Sequence, residues 1–163
     1  MTPRQLDDRA YHVYFEVFMV VEQIEFYIDN YAPTFPSSSS TDAHEQALLE
    51  ATLVHLRLLD EFLGCRGWHP DDVRACDWPG WAASGFLSKT MRDRINAHVA
   101  HLSRRRRTWT EWNLPWLGRA CCIRLMEFFA VIPPDRLPAF LTAPEIAERG
   151  RKRFNAELTK WRT

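Results

Sequence analysis

The sequence predicts an all-α protein, a bundle of about five helices, and three observations carry that prediction. Long stretches run without glycine or proline and repeat apolar residues at three- and four-residue steps. The prolines and glycines gather between those stretches, where turns are needed. No segment of useful length alternates apolar and polar residues as a half-buried strand does, and no internal repeat is visible. At 163 residues with 46% hydrophobic side chains, the chain is expected to form one helical domain, 1–163, with a real core.

The first helix is expected from 5 to about 31, where Val13, Val17, Val20, Ile24 and Ile28 share one face. Tyr14, Phe18 and Val21 widen that face, so it needs cover on more than one side. The run PTFPSSSS interrupts the pattern and reads as a mobile loop at about 33–41. Asp42 and Glu45 have the spacing of a capping box for a second helix over 44–62, which Gly64 closes. An irregular loop with one short helical turn is expected at about 64–84, rich in Trp, Pro and Gly. A third helix is expected from about 84 to 105. The fourth, about 114–131, has Asn113 as N-cap and Pro115 in its first turn, and Ile132-Pro133-Pro134 stops it. After a short turn, Thr142 and Glu145 begin the last helix, which ends near Trp161.

Charge and cysteine usage exclude several classes. With 21 basic and 21 acidic residues, the chain lacks the bulk positive field of a protein that coats nucleic acid. Cys65, Cys76, Cys121 and Cys122 have no zinc-site spacing and read as free thiols in or near the core. Acidic residues stand near the amino terminus where a signal peptide needs an apolar run, and no stretch approaches a membrane span. A cytoplasmic location without membrane contact is the expectation.

Chemistry concentrates in MRDRINAHVAHLSRRRR, residues 91–107. On a helical wheel with Arg94 at zero, His98 falls at about 40° and His101 at about −20°, a single stripe. Leu87, Met91, Ile95 and Leu102 fall between about 20° and 100°, so this stripe borders the apolar face. A guanidinium and two imidazoles beside an apolar face are costly unless something pairs with them. Four arginines, Arg104, Arg105, Arg106 and Arg107, close the segment and suit a negative helix end. They also suit phosphate contacts, with Trp109 and Trp112 available for base stacking.

This segment resembles the active helix of the HEPN family, helical bundles that include metal-independent ribonucleases and defence proteins. In that family one long helix carries an Arg, four to six residues, then a His, often with a polar residue after the Arg. Arg92 with His98, and Arg94 with His101 around Asn96, both fit that spacing. The wheel favours Arg94 and His101, because Arg92 lies at about 160°, away from His98. HLRLLDEFL, residues 55–63, looks like the partner helix, and RINAHVAHL is similar to a group of small bacterial helical proteins.

The resemblance implies an endoribonuclease, or a toxin-type or defence module, that needs no metal or other cofactor. In it, His101 would move the proton of the 2′-hydroxyl and Arg94 would hold charge on the phosphate. His98 would be a second proton-transfer or orienting group, and Asp60 or Glu61 would fix an imidazole tautomer. The resemblance also implies RNA as substrate, a homodimer with a composite site, and an antitoxin or other partner protein.

The alternative is a non-catalytic helical module that binds a protein, RNA or nucleotide, with His98 as a core histidine and the arginines as solvated charge. Arg149, Arg151, Lys152 and Arg153 form a second basic cluster among glutamates and read as a solvated face. His69, Asp71 and Asp72 have a common turn composition rather than a metal set. No phosphate-binding glycine loop, nucleophile elbow or His-Glu-x-x-His pair is present.

Overall fold

The computed structural model describes residues 3–31, 43–67, 69, 72–99 and 112–160. Five α-helices and no strands occur among them: α1 Pro3–Tyr31, α2 Ala43–Leu63, α3 Lys89–Val99, α4 Leu114–Val131 and α5 Ala143–Lys160. Single 3-10 turns at Ala75–Asp77 and Leu137–Phe140 break the loops before α3 and α5. Helices α1, α2, α4 and α5 surround the core, with α4 against α5 and α1 against α2, α4 and α5. Helix α3 packs on the flank, chiefly against α2.

The apolar spacing that defines α1 is what builds this core. Val13, Val17, Val20, Ile24 and Ile28 are all buried, and Val21 with Tyr27 extends the buried arc. Two glycines let the helices close on α1. A Cβ at Gly118 of α4 would stand 2.6 Å from Ile24 Cδ1 and 2.7 Å from Phe154 Cε2. At Gly150 of α5 it would stand 2.8 Å from Val21 Cγ2. Ridges from α1 therefore fill space that any side chain at these two positions would claim.

At the far end of the core, Phe62, Trp78, Trp81, Phe128, Phe129 and Phe140 meet edge to face. Trp78 is buried, and the Trp81 indole donates to the Leu63 carbonyl at 2.8 Å. Trp78 and Trp81 thus stitch the irregular loop into the core.

Helix ends follow local chemistry. Asn113 Oδ1 accepts from the Trp116 amide at 2.9 Å, and Pro115 sits in the first turn of α4. Helix α2 ends in a Schellman turn, with the Cys65 amide donating to Phe62 and the Arg66 amide to Glu61. The left-handed residue of that turn is Cys65, at φ 53°, where glycine is usual. Helix α3 starts at Lys89, five residues later than the expected 84. The amides of Phe86 and Leu87 are held by Asp60, and Ser88 Oγ takes the Met91 amide at 3.2 Å, so the helix can begin only after Ser88. Residues 100–105 of the expected third helix lie outside the described residues. Among the described residues, no helix is long and apolar enough to cross a membrane.

Candidate functional site

Helix α3 is set on α2 by one buried carboxylate. Asp60 is 0% exposed. Its Oδ1 accepts from the Phe86 amide at 2.7 Å and the Leu87 amide at 2.8 Å. Its Oδ2 takes the Arg66 guanidinium and lies 3.6 Å from Arg92 Nη1. Arg92 also donates to the Leu87 carbonyl at 2.6 Å, and Arg66 to the Asp60 carbonyl at 2.9 Å. Two amides and two cations satisfy a charge that burial alone would make prohibitive. Gly85 stands where a Cβ would meet Asp60 Oδ1 at 2.4 Å, so the loop reaches the carboxylate only without a side chain there.

On another face of α3, Arg94 and His98 converge on Trp112. The Arg94 guanidinium carbon lies 4.3 Å from the Trp112 ring centroid, a cation–π contact. The His98 ring meets the same indole edge to face at 5.5 Å. The expected stripe is therefore present for these two residues, and its wall is a tryptophan that the sequence offered for base stacking. Trp112 is buried and is not available to stack on a base.

His98 is 2% exposed, and neither ring nitrogen has a hydrogen-bond partner among the described residues. Nor does the buried Trp112 Nε1. Burial, and secondarily the Arg94 charge, depress the His98 pKa below its usual value of 6.5, so the ring is neutral at pH 7. This carries a stability consequence. A histidine with a depressed folded pKa binds fewer protons folded than unfolded, so stability falls as pH drops through about 6.5 and levels below the folded pKa. The slope from one such group is at most about 1.4 kcal/mol per pH unit. Wild type and His98→Gln should therefore diverge in denaturant midpoint between pH 8 and 5, wild type losing more on acidification. Parallel profiles would contradict this.

The expected tautomer-fixing bond from Asp60 or Glu61 to an imidazole is not found among the described residues. Asp60 is committed as above, and Glu61 accepts from Arg57 at 2.8 Å, one turn back on α2. Asn96 turns instead to an open groove of about 570 Å³, shared with Arg57, Glu61, Arg66, Arg92 and Asp93. Arg92 and His98 do not form a pair, since Arg92 serves Asp60 and the groove while His98 faces Trp112. Arg66 is the contributor that periodicity missed, because it lies beyond the helix end; its sole signal is a cation six residues after Asp60. His101, Arg104, Arg105, Arg106, Arg107 and Trp109 lie outside the described residues.

The second basic cluster is neutralised across the α1–α5 seam. Arg149 pairs with Glu22 and, at 3.2 Å, with Glu25, while Arg153 pairs with Asp29. Arg151 holds Glu148 at 2.7 Å, and its hydrogen bonds push that carboxyl down to about 2. Within the expected solvated face, Arg149 and Arg153 thus reach across to α1, while Arg151 and the exposed Lys152 pair with Glu148 of their own helix. Around His69, the amide donates to Asp72 Oδ2 at 2.7 Å, a turn contact. No group of metal-binding side chains occurs among the described residues.

No family model matches the chain, and neither curated proteins nor solved structures give a match.

Proposed function

We propose that this chain is an RNA-directed module of HEPN type, a metal-independent endoribonuclease whose active helix is α3 and the segment that follows it. The observation that carries the reading is the convergence of Arg94 and His98 on one side of α3 against Trp112. Cleavage by a 2′-hydroxyl uses an always-charged guanidinium together with imidazoles, and this side of the helix gathers residues of both kinds. His98 is buried, so its part is to position and polarise; the proton-transfer group is His101, three residues on in the sequence. Arg94 holds the phosphate charge, and Arg104 to Arg107 supply backbone contacts. A composite site from two copies belongs to the same reading. Tyr11, Phe15 and Phe18, exposed at helical spacing on α1, favour it as apolar surface a second copy could cover.

The test is cleavage of a mixed RNA pool in EDTA by wild type, Arg94→Ala and His101→Ala, each first checked for unchanged melting. Wild type should cut and leave cyclic-phosphate ends, and each variant should lose about 10²–10⁴-fold in rate. Folded wild-type protein that leaves the pool intact overturns the catalytic reading.

A second reading, a non-catalytic binding module, is favoured by the groove beside α3. Arg57, Arg66, Arg92 and Asn96 line it, and the three arginines are fixed by ion pairs, which suits retention of an anionic group rather than turnover. RNA or nucleotide retained by uncut, folded protein would move the assignment there.

A further inference from the structure

Cys65 and Cys76 lie together although eleven residues separate them. The Cys76 amide donates to Cys65 Sγ at 3.1 Å, which brings the Cys65 sulfur against the Cys76 backbone. Cys65 is half-buried and Cys76 is exposed, whereas Cys121 and Cys122 are sealed in the core. The backbone at Cys65 adds a second observation. It occupies the left-handed position of the α2 Schellman turn, at φ 53°, where glycine would be unstrained. A β-carbon is tolerated there at a cost in strain, and the sulfur it carries accepts from the backbone amide of the other cysteine.

The geometry points to a reversible disulfide between Cys65 and Cys76, formed on exposure to a peroxide, as a modification site of this protein. The exposed Cys76 sulfur attacks the peroxide O–O bond, giving a sulfenic acid and releasing water. Cys65 Sγ then attacks the sulfenic sulfur, the S–O bond breaks, and the hydroxyl leaves as a second water with the Cys65 proton. Two thiols and one hydrogen peroxide become one disulfide and two waters, and both electrons removed from sulfur pass to peroxide oxygen. Burial above all pushes the Cys65 thiol up to about 12, against the Cys76 amide, which lowers it, so Cys65 is the resolving rather than the attacking group. With Cys65 Sγ already 3.1 Å from the Cys76 amide nitrogen, the two residues are in contact before oxidation, which suits a bond that forms and is reduced again.

The bond would tether the end of α2 to the 3-10 turn at Ala75–Asp77. In the sequence between the two cysteines stand Arg66, the partner of Asp60, and Gly67, which lines both the groove beside α3 and the cleft between α1 and α2. Oxidation would therefore stiffen the segment that holds α3 in place. This inference does not depend on what α3 does.

The test treats the full, pre-reduced chain with a small excess of hydrogen peroxide, blocks remaining thiols with N-ethylmaleimide and maps the peptides. The expected result is a linked 65/76 peptide pair that dithiothreitol separates, with labelled Cys121 and Cys122 recovered after unfolding. The oxidised protein should melt about 5–10 °C above the reduced form. Cys76→Ser should abolish the link and leave Cys65 alkylatable. In Cys65→Ser, and in Cys65→Gly, which relieves the left-handed strain and so keeps the fold, Cys76 should stop at the sulfenic stage or oxidise further. Wild-type protein in which Cys76 reaches sulfinic acid while Cys65 stays a free thiol would overturn the assignment, as would a bond to any other cysteine.

Discussion

Replacing Asp60 by Ala should lower the unfolding free energy by about 3–5 kcal/mol, measured as a shift in urea midpoint at constant slope. The carboxylate is fully buried and satisfies two amides and two guanidinium groups. Its removal strands the amides of Phe86 and Leu87 and leaves Arg66 and Arg92 facing each other without a counter-charge. Such a loss is a large part of the ~5–15 kcal/mol that usually holds a domain together. Asp60→Asn should recover a fraction, because an amide oxygen can still accept from Phe86 and Leu87 but offers no charge to the arginines. Helix α3 should be the first element to lose amide protection in both variants, since Asp60 is what joins it to α2. A midpoint unchanged in Asp60→Ala would mean that the clamp contributes nothing.

Trp112→Ala should cost about 3–5 kcal/mol, while Trp112→Phe should cost much less. The indole is 1% exposed and walls both Arg94 and His98, so truncation empties a large volume beside two polar side chains. Its Nε1 makes no hydrogen bond among the described residues, so phenylalanine forfeits volume and cation–π strength but no polar partner. The alanine variant should also admit water to His98 and return its titration toward the ordinary histidine range, readable from the imidazole signals in NMR. If alanine and phenylalanine cost the same, packing against the six-membered ring is not what the site needs. An unmoved His98 titration would show that Trp112 is not what keeps water from that ring.

Much of this was legible in the sequence, and the parts that were not have physical causes. The buried valines and isoleucines of α1, the Asn113 cap and the proline that begins α4 follow from period and capping chemistry, which are local. The start of α3 was misplaced because Asp60, 26 residues before Phe86, takes amides that a helix would otherwise use. That is a long-range contact without periodic trace. Asp60 or Glu61 was expected to serve an imidazole; Asp60 instead holds Arg66 and Arg92 and Glu61 holds Arg57, and only packing decides among cations and imidazoles. The stripe of Arg94 and His98 was readable from wheel angles, yet Trp112 as its wall was not, because it arrives from the segment preceding α4. The pairing of Cys65 with Cys76 likewise depends on how the loop folds back over the end of α2.

The seam of ion pairs between α1 and α5 bears on how the molecule meets other charged bodies. Glu22, Glu25 and Asp29 cancel Arg149 and Arg153 at close range, so that flank presents a mosaic of alternating sign rather than a sustained potential. Fields from such a mosaic die away within about 8 Å at physiological ionic strength. Approach of a polyanion to that flank is then undirected diffusion, without electrostatic steering, and orientation must be found by trial at contact.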